Sequence, residues 1–294
     1  MKGEAVNKPT KTRSRKTVLV MRTCSADMTS YGGFRWPKRG PVSAPDWIDN
    51  YECGNGLHGW LWGEGDVLLD QCDDINAKWL VVRVLASEVR HGQGHMIGKC
   101  KFPRGYVVHC GNRKSATEYI MAHGAAGKAV ICATVTAGDR GTAVAGYLGT
   151  ATVGNRGTAM AGDRGTAVAG YLGTATVGDR GTAKAGDRGT AVAGYRGTAM
   201  AGYLGTATVG DEGTATVGCL GTAVAGHRGT AVAGNEGTAT TGYRGTAMAG
   251  DRGILQIGYY TGRFRIATAY VGENGIKPNI KYRLDDAHNF VEVI

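Results

Sequence analysis

The amino-acid sequence predicts a mainly β protein built around a β-solenoid, and three observations carry that prediction. Residues 138–249 form fourteen uninterrupted octads of the pattern G-x-x-G-T-A-x-x. Glycine supplies 50 of the 294 residues, more than about twice its usual share, and in the repeat it is strictly spaced. Each octad also divides into a turn-forming half and a four-residue half with strand alternation. A fifteenth unit, residues 250–257 (GDRGILQI), keeps the glycines but replaces Thr-Ala with Ile254-Leu255, which marks the start of a cap.

Within an octad, G-x-x-G carries Asp, Asn or Tyr and then Arg, Leu or Glu, a composition for a tight turn with positive φ supplied by glycine. T-A-x-x is a short strand, whose successive side chains face opposite ways. Ala143, Ala145 and their equivalents share one face; Thr142, Val144 and theirs share the other. Because that second face accepts Lys184, and lysine is almost never buried unpaired, the alanine face is expected inside. One octad cannot bury a core, so the units must stack. Side-chain identities repeat best every 24 residues, as in the series Asp139, Asp163, Asp187. A three-sided 24-residue coil would leave voids around alanine, and voids are costly. Two apposed sheets with 16 residues per coil are therefore predicted, with 24 per coil as the alternative. Seven such coils would make a rod of roughly 33 Å.

The flanks differ in kind. Residues 1–17 form an expected disordered basic arm, since residues 1–40 hold ten Lys/Arg against Glu4 and Asp27 out of a net charge of +10. That arm is a weak candidate for salt-dependent nucleic-acid binding, because no aromatic residues interleave with its charges. Residues 18–129 are expected to be an α+β head. They hold all five tryptophans, strands at Lys78–Leu85 and Gly105–His109, and a helix over residues 115–123 with Ser115 as N-cap and Glu118 at capping-box spacing. Residues 128–136 (KAVICATVT) alternate like a strand leading into the solenoid, 130–257. Residues 258–294 form a C-terminal β cap, with Ile266, Tyr270 and Phe290 among its larger apolar side chains. Seven scattered cysteines suggest free thiols rather than a disulfide framework. No apolar run is long enough for a transmembrane helix, nor Val18–Met21 for a signal peptide.

With those residues in view, two resemblances emerge. The octads resemble those of bacterial ice-nucleation proteins, closest in GYLGTATV at 146–153, 170–177 and 202–209, with Gly in place of Ser before the threonine. The resemblance implies a 16-residue β-solenoid and associates outward Thr-x-Thr pairs with ordered water. Such pairs stand here at Thr150/Thr152, Thr174/Thr176, Thr206/Thr208, Thr214/Thr216 and Thr238/Thr240, interrupted elsewhere by Val, Met and Lys184. The head resembles an uncharacterised domain of phage and prophage proteins in Cys53–Gly63 (CGNGLHGWLWG), the KWLVVRV strand and the KCKFPR segment with VVHCGNR. That resemblance implies a phage-encoded protein of the host cytoplasm, or alternatively of the virion.

Candidate chemistry is sparse. Leu57-His58-Gly59 matches an element of ADP-ribosyltransferases, with Tyr51, Tyr106 and Glu118 as candidate companions, but a histidine within a Trp-rich core explains it more simply. Neither Cys53 with His58 nor His91, His95 and Cys100 has zinc-site spacing, and no Walker pattern occurs. No metal, cofactor or catalytic residue is therefore expected. The leading expectation is a non-enzymatic binding protein whose solenoid engages a macromolecular partner, host or phage, through turn-edge residues. Its candidate contacts are Tyr147, Arg164, Tyr171, Arg188, Tyr195, Arg196, Tyr203, Tyr243 and Arg244, side-chain types common in interface hot spots. Virion structure or decoration, a transferase head using His58, and ice binding are the alternatives. Exposed strand edges also offer a route to homo-oligomers.

Overall fold

The computed structural model describes residues 16–66 and 76–293; all but the last two residues of the basic arm lie outside that range. Among the described residues the head is one antiparallel sheet of seven strands: β1 (Thr17–Cys24), β2 (Gly40–Ser43), β3 (Leu57–Leu61), β4 (Lys78–Leu85), β5 (Arg90–His91), β6 (Cys100–Phe102) and β7 (Arg104–Gly111). Their spatial order is β2-β7-β4-β1-β3-β6-β5. Strands β1 and β4 are apolar on both faces because both are covered. Val20, Leu80, Val82 and Phe102 pack on one side, and Leu19, Met21, Trp60 and Val81 on the other. The second side is closed by helix α1 (Arg113–Ile120) through Ala116 and Ile120.

The cap of α1 differs from expectation. Asn112, not Ser115, is the N-cap, and its Oδ1 accepts the Ser115 amide at 2.9 Å. Either side chain suits an N-cap; Asn112 wins because the chain already turns into the helix there, placing Ser115 inside the first turn. Residues 128–133 likewise do not extend as a strand. Val130, Ile131 and Ala133 instead plug the head core, where Tyr147 of the first coils packs against them. Only β8 (Thr134–Ala137) remains as strand.

From β8 the chain winds as predicted, at 16 residues per coil. Strand β9 (Thr142–Val144) pairs in parallel with β11 (Thr158–Ala161), and β10 (Thr150–Val153) with β12 (Thr166–Ala169), each residue facing its equivalent sixteen positions on. One strand per octad follows to β22 (Thr246–Ala249). Even-numbered strands make one sheet and odd-numbered strands the other. Alanine separates the sheets: Ala143, Ala151, Ala159 and their equivalents are wholly buried, whereas Lys184 is exposed. The 24-residue recurrence is therefore one and a half coils and alternates between opposite edges of the rod.

The glycines serve a purpose other than the expected one. Positive φ falls on the residue between them, for example Arg164 at 54°, Arg180 at 56° and Leu204 at 54°. The repeat glycines lack it; they permit close approach. A Cβ on Gly141 would lie 2.7 Å from the Ala137 Cβ, and one on Gly162 would lie 2.8 Å from the Tyr147 amide nitrogen of the coil below. Stacking at the ~4.8 Å strand spacing leaves no room for a side chain there.

Asp and Asn in the turns also stitch coils together. The Oδ1 atoms of Asp139, Asp163, Asp187 and Asp211 accept backbone amides sixteen residues ahead, at 2.8–2.9 Å. Each bond satisfies a turn amide that the strands do not pair.

One core position is mismatched. Thr241 stands where every other octad has Ala or Val, stacked between Ala225 and Ile257, and its buried Oγ1 has no partner among the described residues. An isosteric Thr241→Val substitution removes that desolvation cost and is expected to stabilise the rod by about 1–2 kcal/mol. Chemical denaturation checks it; an unchanged or lower midpoint refutes it.

Strands β23 (Ile254–Tyr260) and β24 (Phe264–Tyr270) extend the odd sheet as an antiparallel hairpin. Strands β25 (Tyr282–Leu284) and β26 (Phe290–Glu292) extend the even one. Between them Val271, Ile276 and Tyr282 are buried against the alanine core and close its end.

Candidate functional site

The strongest regularity on the surface is the first outward position of each strand. On the odd sheet Thr142, Thr158 and Thr174 through to Thr238 are in register, threonine beside threonine, without a break. The even sheet carries the same column from Thr134 to Thr246. β-branching fits threonine to such a position, and parallel pairing repeats its hydroxyl every ~4.8 Å.

The second outward column separates the two faces. On the odd sheet it reads Val144, Met160, Thr176, Val192, Thr208, Val224 and Thr240, so a Thr-x-Thr pair recurs on every other strand from Thr174, and no strand residue from Thr142 to Thr241 is charged. On the even sheet Lys184 stands in the middle of that column, between Val168 and Met200. Two residues along a strand span about 6.6 Å. The odd face thus presents hydroxyl and methyl groups on a regular net of about 4.8 by 6.6 Å. Second-neighbour oxygens in tetrahedral water, joined by hydrogen bonds of about 2.75 Å, lie about 4.5 Å apart. The threonine repeat is close to that spacing.

The turn-edge candidates divide between the two edges of the rod. Tyr171, Arg188 and Tyr203 lie along one; Tyr147, Arg164, Tyr195, Arg196, Tyr243 and Arg244 lie along the other. The first edge is the more apolar, with Tyr171 and Tyr203 43% and 47% exposed and Leu172, Leu204 and Leu220 open beside them. On the second, Arg196 donates to Glu212 at 2.7 Å and lies over the Tyr195 ring. That ion pair holds the Glu212 carboxyl below its usual range. Arg244 likewise covers Tyr243, which stacks on His227.

In the head, His58 lies on β3 beside Lys101 of β6. Its Nε2 is buried without a partner among the described residues. Burial, reinforced by Lys99, Arg22 and Lys101, pushes its pKa down to about 4. Two of the three companions proposed for it are elsewhere. Tyr106 is on β7, three strands from β3 and so about 14 Å away, beneath Arg83. Glu118 pairs with Lys114 on the open side of α1. The transferase constellation is therefore not assembled, because the strand order places β4 and β1 between its parts. The zinc candidates do not converge either. His95 pairs with Glu52 at 2.8 Å, Lys99 donates to the Cys53 sulfur at 3.0 Å, and burial raises the Cys100 thiol to about 12.

Sequence reasoning missed two functional elements of the turns and head. One is the amide-capping role of the turn Asp and Asn residues, whose signal was their alternation with Tyr at a fixed octad position. The other is Lys101, wholly buried, whose ammonium donates to Asn50 Oδ1 and to the Glu52 and Gly54 carbonyls. It organises the loop that carries the CGNG segment.

Comparison with known proteins agrees with this division. Residues 18–122 match the family model of a domain of unknown function, DUF7666. The ice nucleation protein InaU of Pantoea ananas is 38% identical over 122 residues, 41% of this chain and 11% of that protein. InaA of the same organism is 37% identical over 140 residues, covering 47% and 10%. An ice nucleation protein of Xanthomonas campestris pv. translucens is 38% identical over 106 residues, covering 36% and 7%. No solved structure matches the chain. The chain thus couples a domain of unknown function to ice-nucleation-like repeats, and spans about a tenth of the length of the curated relatives it matches.

Proposed function

We propose that the odd sheet is an ice-binding face, on which the threonine net orders water into an ice-like layer. The unbroken, charge-free ladder from Thr142 to Thr238 carries this reading, and the similarity to ice nucleation proteins supports it. Backbone pairing fixes the hydroxyls before water arrives, so little conformational entropy opposes ordering. The alternating Val and Met side chains exclude competing polar partners. A face of about seven coils is small, since the matched segment covers only about a tenth of each relative's length. Adsorption to existing ice is therefore expected to exceed nucleation at mild supercooling.

The test compares recrystallisation inhibition and droplet freezing for the native chain and the double variant Val192→Lys, Val224→Lys. Lys184 shows that this strand position accepts lysine without loss of the coil. The charged variant should lose activity while its circular dichroism is unchanged. The matching even-sheet variant, Val168→Lys with Val232→Lys, should retain it. Equal activity in all three overturns the proposal.

A second reading rests on the open Tyr171–Leu220 edge, which offers a macromolecular partner an apolar strip. Replacing Tyr171 and Tyr203 with Ser should then abolish partner capture and leave ice activity intact. Undiminished capture by that variant would refute it.

A further inference from the structure

We propose that β24 is a dimerisation strand, joining two copies of this chain end to end by antiparallel pairing of β24 with itself. The rod is closed differently at its two ends. At the first coil, head residues cover the stack, with Gly146 donating to the Val130 carbonyl and Thr150 to that of Ala133. At the far end the 271–282 segment covers the core but leaves the strand edge bare. Strand β24 pairs with β23 along seven residues, and among the described residues no backbone hydrogen bond joins its other side to a further strand. Such an edge is a template for another strand. It also carries an apolar surface: Phe264, Ile266 and Tyr270 are each about half exposed.

The occupant is argued from the strand's own register. A two-fold axis through Ala267 places Phe264 opposite the partner's Tyr270 and Ile266 opposite the partner's Thr268. Arg265 then faces the partner's Ala269. Two aromatic pairs and two aliphatic–threonine pairs form, cross-strand combinations that stabilise sheets, and no like charges oppose. Arg265 would oppose only a strand carrying a positive charge at that position; against its own copy it meets an alanine. A register about Ala267 in which aromatic meets aromatic, Ile266 meets Thr268 and no like charges face each other points to a second copy.

Antiparallel pairing keeps the outward faces of both copies on the same side of the joined sheet. If the odd sheet binds ice, as proposed above, the dimer doubles the ordered face without a longer chain. Two strands follow the last octad strand on each side, β23–β24 after β21 and β25–β26 after β22; because β22 lies half a coil beyond β21, the even side reaches about half a strand spacing further and the two rods meet at an angle.

The pair of short strands is smaller than a standard interface, so assembly should depend on concentration. Sedimentation velocity of the full chain across the micromolar range should show monomer giving way to dimer. Ile266→Lys with Thr268→Lys sets lysine against lysine across the axis and should weaken the dimer at least about tenfold. Ile266→Lys with Thr268→Glu sets lysine against glutamate and should restore it, with sensitivity to salt. Both positions face outward and are exposed, so folding is unaffected. A native chain that stays monomeric, a dimer that survives the double lysine change, or one lost instead on Tyr171→Ser with Tyr203→Ser overturns the proposal. Dimerisation without ice activity would leave this assembly standing and remove only the proposed function.

Discussion

Acidification from pH 7 to pH 4 is expected to destabilise the head by about 2–3 kcal/mol, and a His58→Phe variant is expected to lose most of that dependence. The folded-state pKa of His58 is pushed down from 6.5 to about 4, first by burial and then by Lys99, Arg22 and Lys101. Between those values the unfolded chain binds a proton that the folded chain refuses, so stability falls as pH falls. The contribution is fully present above pH 6.5 and declines through the interval down to about pH 4. Shifts of this size correspond to about 1.4 kcal/mol per pH unit, reduced here because the ring is only partly buried. Denaturant titrations of the native and His58→Phe chains at pH 7, 5.5 and 4 measure the difference. Parallel loss of stability in both chains would show that other groups cause the acid sensitivity. The same depression argues for His58 as a neutral structural ring, since its unpaired Nε2 and cationic surroundings penalise the charged form.

Gly181→Val is expected to cost more than about 3 kcal/mol and to break the rod locally, whereas Arg180→Gly, one residue earlier, should change stability little. A Cβ at Gly181 would lie 2.8 Å from the Val177 Cβ and 3.0 Å from the Gly165 carbonyl oxygen. Backbone held by pairing on both sides cannot yield to it, so the cost exceeds the usual 1–3 kcal/mol of overpacking. In a stacked array each coil is stabilised mainly by its neighbours, and a failed turn exposes two coil faces. Arg180 has φ of 56°, a conformation that costs a non-glycine residue about 1–2 kcal/mol. Glycine relieves that strain and loses about 0.5–1 kcal/mol through unfolded-state entropy, so the two effects nearly cancel. Hydrogen exchange across residues 160–200, with thermal unfolding of both variants, separates these outcomes. A Gly181→Val chain as stable as the native one would refute the close-approach account.

The strict octad, the inward alanines and the outward Lys184 were enough to read a two-sheeted solenoid and its 16-residue coil, because a core without large side chains admits no wider section. Apolar, β-branched runs likewise placed the β4 and β7 strands of the head, and alternation placed the threonine columns. The turn mechanics were not legible. A G-x-x-G pair suggests left-handed glycines, yet the stacking distance assigns glycine to contact positions and left-handed geometry to Arg or Leu. The turn aspartates read only as turn formers until coil geometry set each beside an amide sixteen residues on. The 24-residue recurrence of Tyr147, Tyr171 and Tyr195 suggests one ladder; sixteen residues per coil sends successive members to opposite edges.

Local pattern therefore determined the strand, its buried face and the coil. Which residues meet across coils, strands and rod ends was decided by tertiary structure. His58 lies apart from Tyr106 because two strands intervene, and the odd face is free of charge because Lys184 falls on an even strand. The physical reason is common to both: periodicity within a strand is short-ranged and written in neighbouring residues, whereas register and strand order depend on what the whole stack can pack.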